Sequence, residues 1–175
     1  MGVSLNTPEG HKELVSCIAF SHDGALLASA SDDNTIKLWD AATGVTLKTL
    51  EGHTHSAASV EFFRGNIVGW VPSITFSLDS TLLASASRDK TVRLWDTTTG
   101  TALRTLEGHT EVVSSVALSR DGTLLSSSSR DKTVRILDAI IGAALRMLEG
   151  HTDEATSTVF SRWNATSVRF NGRDG

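Results

Sequence analysis

Three sets of one histidine, one serine and one aspartate recur along this chain in the same order: His11, Ser29 and Asp33; His53, Ser85 and Asp89; His109, Ser127 and Asp131. Such a set can run nucleophilic acyl transfer, with serine as nucleophile, histidine as its base and aspartate as the group that orients the histidine. The recurrence argues the other way. A repeated fold repeats its structural polar groups, and a hydrolase built here would carry its active site three times over. An enzyme would need one set without counterparts elsewhere, and there is none.

Other chemistry is thinner still. His53-Thr54-His55 offers two imidazoles to a metal, but His53 already belongs to a recurring set and no third ligand lies near it. There is no glycine-rich phosphate loop and no CxxC or HExxH spacing. No metal and no cofactor is expected. Asn164-Ala165-Thr166 spells a glycosylation sequon, but without a secretory signal it reads as chance.

The elements that must position these residues are legible in residues 82–96, LLASASRDKTVRLWD. The same text stands at 26–40 as LLASASDDNTIKLWD and at 124–138 as LLSSSSRDKTVRILD, each matching the middle copy at 11 of 15 positions. Leu82–Ser87 is small and apolar without a helical stripe, Arg88-Asp89-Lys90 is a polar turn, and Thr91–Asp96 alternates with β-branched and aromatic residues. The pattern is strand, turn, strand. A second turn, Thr97–Gly100, leads to a third short strand ending near Glu107-Gly108-His109.

Gly-His pairs open each unit, at His11, His53, His109 and His151, so the spacings are 42, 56 and 42 residues. This Gly-His … Trp-Asp signature resembles the WD-repeat family over about residues 2–160. The resemblance implies an all-β fold, a partial β-propeller with three complete four-stranded blades and an incomplete fourth. In family terms the whole chain, 1–175, is one array. It has a strand d at 2–8, blade one at 14–50, blade two at 57–106, blade three at 112–148 and an incomplete blade four at 154–175. The resemblance also implies that His11, Ser29, Asp33 and Trp39 form a buried hydrogen-bond network. His53, Ser85, Asp89 and Trp95 would form a second, and His109, Ser127 and Asp131 a third that lacks its tryptophan because Leu137 stands there.

Blade two departs from the period by 56 − 42 = 14 residues, inserted before Val71. Two segments compete for its inner strand, Val71–Ser77 and the weaker copy Ala57–Phe63. Val71 keeps the 11-residue spacing to Leu82, so Val71–Ser77 is the expected strand and about His55–Gly69 the expected loop. A partial duplication or a misassigned coding boundary would explain the extra residues equally well. The insertion should also separate His53 from Ser85 and Asp89 and weaken that network. Pro8 weakens the first strand, since proline supplies no ladder hydrogen bond.

With the recurring residues assigned to structure, function belongs where the copies differ. The residue before the turn aspartate changes from Asp32 to Arg88 and Arg130, and the residues after Gly-His change at Leu14, His55 and Val112. In WD-repeat propellers the d–a and b–c loops lie on one face, so these positions are expected to gather there. Phe62 and Phe63 in the insertion, with Trp70 at its base, are aromatic candidates for the same face.

Composition narrows the partner. Sixteen basic and 20 acidic residues give a net charge of −4, which argues against nucleic acid or an anionic membrane surface as a general ligand. No apolar run approaches the roughly 20 residues a spanning helix needs, and no signal peptide is evident. Cys17 is the one cysteine and reads as a small buried hydrophobe in a reducing compartment. The expected location is the cytoplasm, with the nucleus also open. The expected function is a non-catalytic scaffold or recognition module for other proteins or peptides. The close agreement of the repeats and the phrase LEGHT also resemble the WD-repeat arrays of fungal NACHT-domain proteins, where the propeller is the sensor region of a signalling switch. A fragment of another WD-repeat adaptor, in organelle division or ubiquitin ligation, is the alternative. Three blades are fewer than the usual 4–8, so exposed edges and self-association are expected as well.

Overall fold

β-branched and aromatic residues in period-two runs, broken by turns built on Asp and Gly, dictate short strands joined in meander order. The computed structural model describes residues 10–55, 74–119, 121–155, 158–160 and 166–167. The first sheet joins β1 (Val15–Phe20), β2 (Leu26–Ser31), β3 (Ile36–Asp40) and β4 (Thr46–Leu50) as an antiparallel meander. The second joins β5 (Ile74–Phe76), β6 (Leu82–Ala86), β7 (Val92–Asp96) and β8 (Ala102–Leu106), and the third joins β9 (Val113–Leu118), β10 (Leu124–Ser129), β11 (Val134–Asp138) and β12 (Ala144–Leu148). A two-stranded pair, β13 (Val159–Phe160) and β14 (Thr166–Ser167), follows. The described chain is therefore an all-β partial propeller. The early strand at 2–8, the segment 57–63 and Val71 lie outside the described residues.

The three sheets share one register. Ser29 is paired with Ile18 and Lys37, Ser85 with Ile74 and Arg93, and Ser127 with Val116 and Arg135. Ile74 thus occupies the inner-strand position of its sheet. Each outer ladder shifts register at the same place, before Trp39, Trp95 and Leu137.

The core lies between sheets, because a strand with two apolar faces must bury both. Ala28, Ala30, Ile36, Leu38 and Leu50 of the first sheet meet Ile74, Leu83 and Trp95 of the second. Ala84, Ala86, Val92, Leu94 and Leu106 of the second meet Val113, Val116, Leu118, Leu125 and Leu137 of the third. The alanines let the neighbouring sheet approach, and the larger side chains fill the gap, each worth about 1.5–3 kcal/mol when fully buried. Cys17 is half-buried rather than fully enclosed, and packs against the first of these clusters.

Hydrogen bonds stitch the second sheet to the third. Arg104 Nε donates to the Ile140 carbonyl at 2.7 Å, and Lys90 Nζ to the Thr110 carbonyl at 2.7 Å. Lys132 Nζ does the same for Thr152 at 3.0 Å, one unit further on. Among the described residues no helix is long and apolar enough to cross a membrane.

Candidate functional site

The turn between the second and third strand of each sheet reads Ser-x-Asp-x-Thr: Ser31 to Thr35, Ser87 to Thr91, Ser129 to Thr133. An aspartate in a tight turn folds back on the backbone two residues on. Asp33 Oδ1 accepts from Thr35 N at 3.0 Å and from Thr35 Oγ1 at 2.7 Å. Its second oxygen reaches out of the turn, accepting from Lys12 N at 3.0 Å and His11 Nδ1 at 2.9 Å. The serine completes the clasp: Ser31 Oγ donates to the Glu13 carbonyl at 3.2 Å and accepts from Asp33 N at 3.1 Å. The fourth residue of the turn takes the left-handed backbone in every copy, with φ of 66° at Asn34, 69° at Lys90 and 68° at Lys132.

The histidine continues inward. His11 Nε2 lies 2.8 Å from Ser29 Oγ, and Trp39 Nε1 donates to the same oxygen at 2.7 Å. In the second sheet His53 lies 2.7 Å from Asp89 and 2.9 Å from Ser85, with Trp95 Nε1 donating to Ser85 at 2.9 Å. The third set holds His109 at 2.8 Å from Asp131 and 2.9 Å from Ser127, and keeps both contacts with Leu137 in the tryptophan's place. One tautomer satisfies every atom: Nδ1–H donates to the carboxylate and Nε2 accepts the serine hydroxyl proton. Burial pushes the three aspartate carboxyls up. The hydrogen bonds from threonine, histidine and backbone outweigh it and hold all three below the ordinary range, Asp131 at about 2. Burial pushes His109 down against the pull of Asp131, so the pair stands as neutral imidazole and ionised carboxylate.

The sequence reading expected the insertion to part His53 from Ser85 and Asp89. It does not. His53 keeps its place in the network, and beyond the insertion Ile74 pairs with Ser85 in the same register as Ile18 and Val116. The described residues on either side are thus held by contacts that do not depend on the length of chain between them.

The linkage Asp–His–Ser has the spacing of a proton relay, but the serine is poorly placed as a nucleophile. Ser85 and Ser127 have no exposed surface. Ser29 and Ser85 already accept a tryptophan N–H. Each sits mid-strand with its backbone paired on both sides, so no free N–H pair stands ready for an oxyanion. His53 is fully engaged, and among the described residues no three His, Cys, Asp or Glu side chains gather as a metal site.

In two of the units, positions that differ between copies are bonded to each other. Asp32 N donates to the Leu14 carbonyl at 2.9 Å, and Arg130 N to the Val112 carbonyl at 3.0 Å. Leu14 and His55 are exposed, while Asp32, Arg88, Val112 and Arg130 are half-buried. Arg130 Nε lies 3.6 Å from Glu154. Phe62, Phe63 and Trp70 lie outside the described residues. The sequence reading missed Ser31, Ser87 and Ser129 and Thr35, Thr91 and Thr133. Their in-register recurrence was the available signal.

Two clefts lie elsewhere on the sheets. One of about 250 Å³ lies at the inner strand ends, between Phe20, His22, Phe76 and Leu118. The other, about 510 Å³, opens on the outer face of the first sheet beside His11, Ser29 and Trp39.

The family model for the WD domain, G-beta repeat (WD40), matches residues 2–40, 44–96 and 100–138. Nuclear distribution protein PAC1 of Arthroderma benhamiae is 43% identical over 113 residues, which cover 63% of this chain and 23% of that protein. The protein of the same name from Gibberella zeae is 43% identical over 108 residues, covering 60% and 22%. This chain therefore spans less than a quarter of the length of these relatives. Among solved structures, that of U3-55K superposes with a TM-score of 0.74 at 25% identity, over 86% of this chain and 44% of that one. The RRP9 WD40 repeats superpose with a TM-score of 0.70 at 24% identity, over 86% and 43%, a likeness of fold alone.

Proposed function

This chain belongs to the WD40 repeat family, and from that premise we propose that it is a non-catalytic recognition module for other proteins or peptides. Its binding face is the one made by the Ser-x-Asp-x-Thr turns and the loops after Gly-His. One observation carries the reading: the frame of each turn is constant, while the residue between serine and aspartate changes from Asp32 to Arg88 to Arg130. A fixed frame presenting a changing side chain is how a scaffold varies specificity without disturbing its core. The three polar networks then serve the frame and not a reaction. WD40 proteins generally act as interaction scaffolds, which supports the same reading.

Two finer versions go with it. The relatives named for nuclear distribution favour an adaptor in an assembly of that kind. The agreement of the repeats at 11 of 15 positions favours a variable sensor region like those of fungal NACHT-type signalling proteins. In both the site of action is the cytoplasm and the ligand is a protein, in keeping with a net charge of −4. Phe62, Phe63 and Trp70 would extend the face.

The test is affinity capture from cell extract with quantitative mass spectrometry. The wild-type chain is compared with an Arg88→Glu/Arg130→Glu variant and with an Ile140→Ser variant, altered in the turn between the third and fourth strands. Partners held by this face should be lost from the first variant and retained by the second. Equal recovery with all three would remove the assignment.

A further inference from the structure

The third unit breaks the repeat along its outer strand. Positions that carry Thr43, Val45, Leu47 and Thr49 in the first unit, and Thr99, Thr101, Leu103 and Thr105 in the second, carry Ile141, Ala143, Leu145 and Met147 in the third. Alternate residues of the turn and of β12 are thus apolar, and the hydroxyls are gone. Ile141 is 63% exposed, Leu145 51% and Met147 49%, with Ile140 beside them at 64%. The packing of one sheet on the next does not reach this row. The second sheet has a sheet on each side, and Thr99, Thr101, Leu103 and Thr105 are all exposed in it. Nor does the turn call for isoleucine. In the first unit Thr43 Oγ1 donates to Asp40 at 2.8 Å, a bond Ile141 has no hydroxyl to make. Asp138 instead accepts from the backbone of Ile140 and Ile141, at 2.8 and 2.9 Å.

β12 is also the edge of its sheet, whose strand order is β12-β11-β10-β9. An edge strand presents a line of N–H and C=O groups to an added strand, and an apolar edge is the kind that natural sheets cover. We propose that this edge takes an extended, acidic and apolar segment of a partner protein as a fifth strand. The segment's apolar residues lie on Ile141, Leu145 and Met147, and its carboxylates meet the arginines that border them. Charge selects this occupant. No carboxylate stands from 139 to 148, and that of Asp138 is engaged by the turn. Arg104 Nε donates to the Ile140 carbonyl at 2.7 Å, and Arg146 is exposed within the strand. Arg135 stands across from Met147, and its buried Nε has no acceptor among the described residues. A second copy of β12 suits the edge poorly. Antiparallel pairing centred on this five-residue strand sets Arg146 against Arg146, and like charges directly opposite are destabilising. The row runs along the side of the sheet, and its turn lies at the end of β11 opposite the Ser-x-Asp-x-Thr turn.

Fluorescence anisotropy with the whole chain and a set of synthetic peptides tests it. The peptides alternate Val, Ile, Leu or Phe with Glu over about eight residues, an ordinary strand length, and a matched set carries Lys for Glu. Members of the acidic set should bind with dissociation constants of roughly 1–100 µM, and their lysine counterparts at least about ten-fold more weakly. An Ile141→Thr/Met147→Thr variant takes the residues that the second unit already carries at these places, so its fold is provided for. It should lose about ten-fold in affinity with an unchanged melting temperature. A wild type that binds none of the acidic peptides, that binds the lysine set equally well, or that is matched by the threonine variant would each overturn the proposal. Sedimentation equilibrium adds the remaining outcome: a wild-type dimer that the threonine variant abolishes would give the edge to a second copy and overturn the choice of partner. None of these measurements engages the Ser-x-Asp-x-Thr turns, so their failure leaves the recognition face untouched.

Discussion

The carboxylate of Asp89 lies 2.7 Å from Nδ1 of His53, although 36 positions of chain, including the fourteen that break the repeat period, separate the two. Asp33 and His11 make the same contact at 2.9 Å across 22 positions. The sheet, not the intervening chain, sets this geometry.

Deleting residues 57–70 should therefore leave the second network intact. It restores the 42-residue period and removes only chain that the His53–Asp89 contact does not need. Shortening a loop also lowers its closure entropy. The deletion variant should melt at the same or a higher temperature by calorimetry. A loss of several degrees would mean that 57–63 holds the inner-strand place.

Removing a network member should cost stability and no activity. Asp89→Ala strands His53, Thr54 N and Thr91 without their acceptor, a loss of about 1–3 kcal/mol. Ser85→Ala strands His53 and Trp95 in the same way. Urea melts should show both losses, and an esterase screen on generic substrates should find no turnover to lose. Turnover that vanishes in Ser85→Ala with an unchanged melt would reinstate the relay as chemistry.

Lys90 carries two opposed effects that substitution can part. Its φ of 69° is a left-handed conformation costing a side-chain-bearing residue about 1–2 kcal/mol. Its ammonium group meanwhile bridges to the Thr110 carbonyl at 2.7 Å. Lys90→Ala loses the bridge and keeps the strain, whereas Lys90→Gly loses both. The glycine variant should be the more stable of the two by about 1 kcal/mol in denaturant melts. Equal melts would mean that the turn stores no strain.

Acid should unfold the chain in two steps of the same sign. His109 is neutral in the fold because burial disfavours its charged form, so stability present above its ordinary value of 6.5 declines as pH falls below it. Asp131 is held at about 2, so its contribution is full above the unfolded carboxylate value, about 3.9, and is lost as pH falls towards the folded one. Urea midpoints measured from neutral pH down to about pH 3 should fall throughout. Asp131→Asn should start lower and flatten the acid limb. A midpoint that rises on acidification would contradict both assignments.

The sequence alone determined the strands, their order and the array. Period-two runs between Asp and Gly turns admit little else, and three copies in one register repeat the evidence at each position. It also marked which residues belong together, since His, Ser and Asp recur at fixed offsets wherever the period holds. What it could not decide was the fate of those offsets in the unit where the period breaks. Linear spacing between His53 and Ser85 grew by fourteen residues, but His53 follows β4 of the first sheet, which packs on the second, and the two stand 2.9 Å apart. The clasp serines and threonines were visible as letters and became meaningful only when the turn brought Ser31 to the Glu13 carbonyl. Ile18 and Ile74 are the same residue in the same register, and no local rule separates them. One is buried and the other exposed because a neighbouring sheet covers only one of them, a matter of packing between sheets that only the tertiary structure settles.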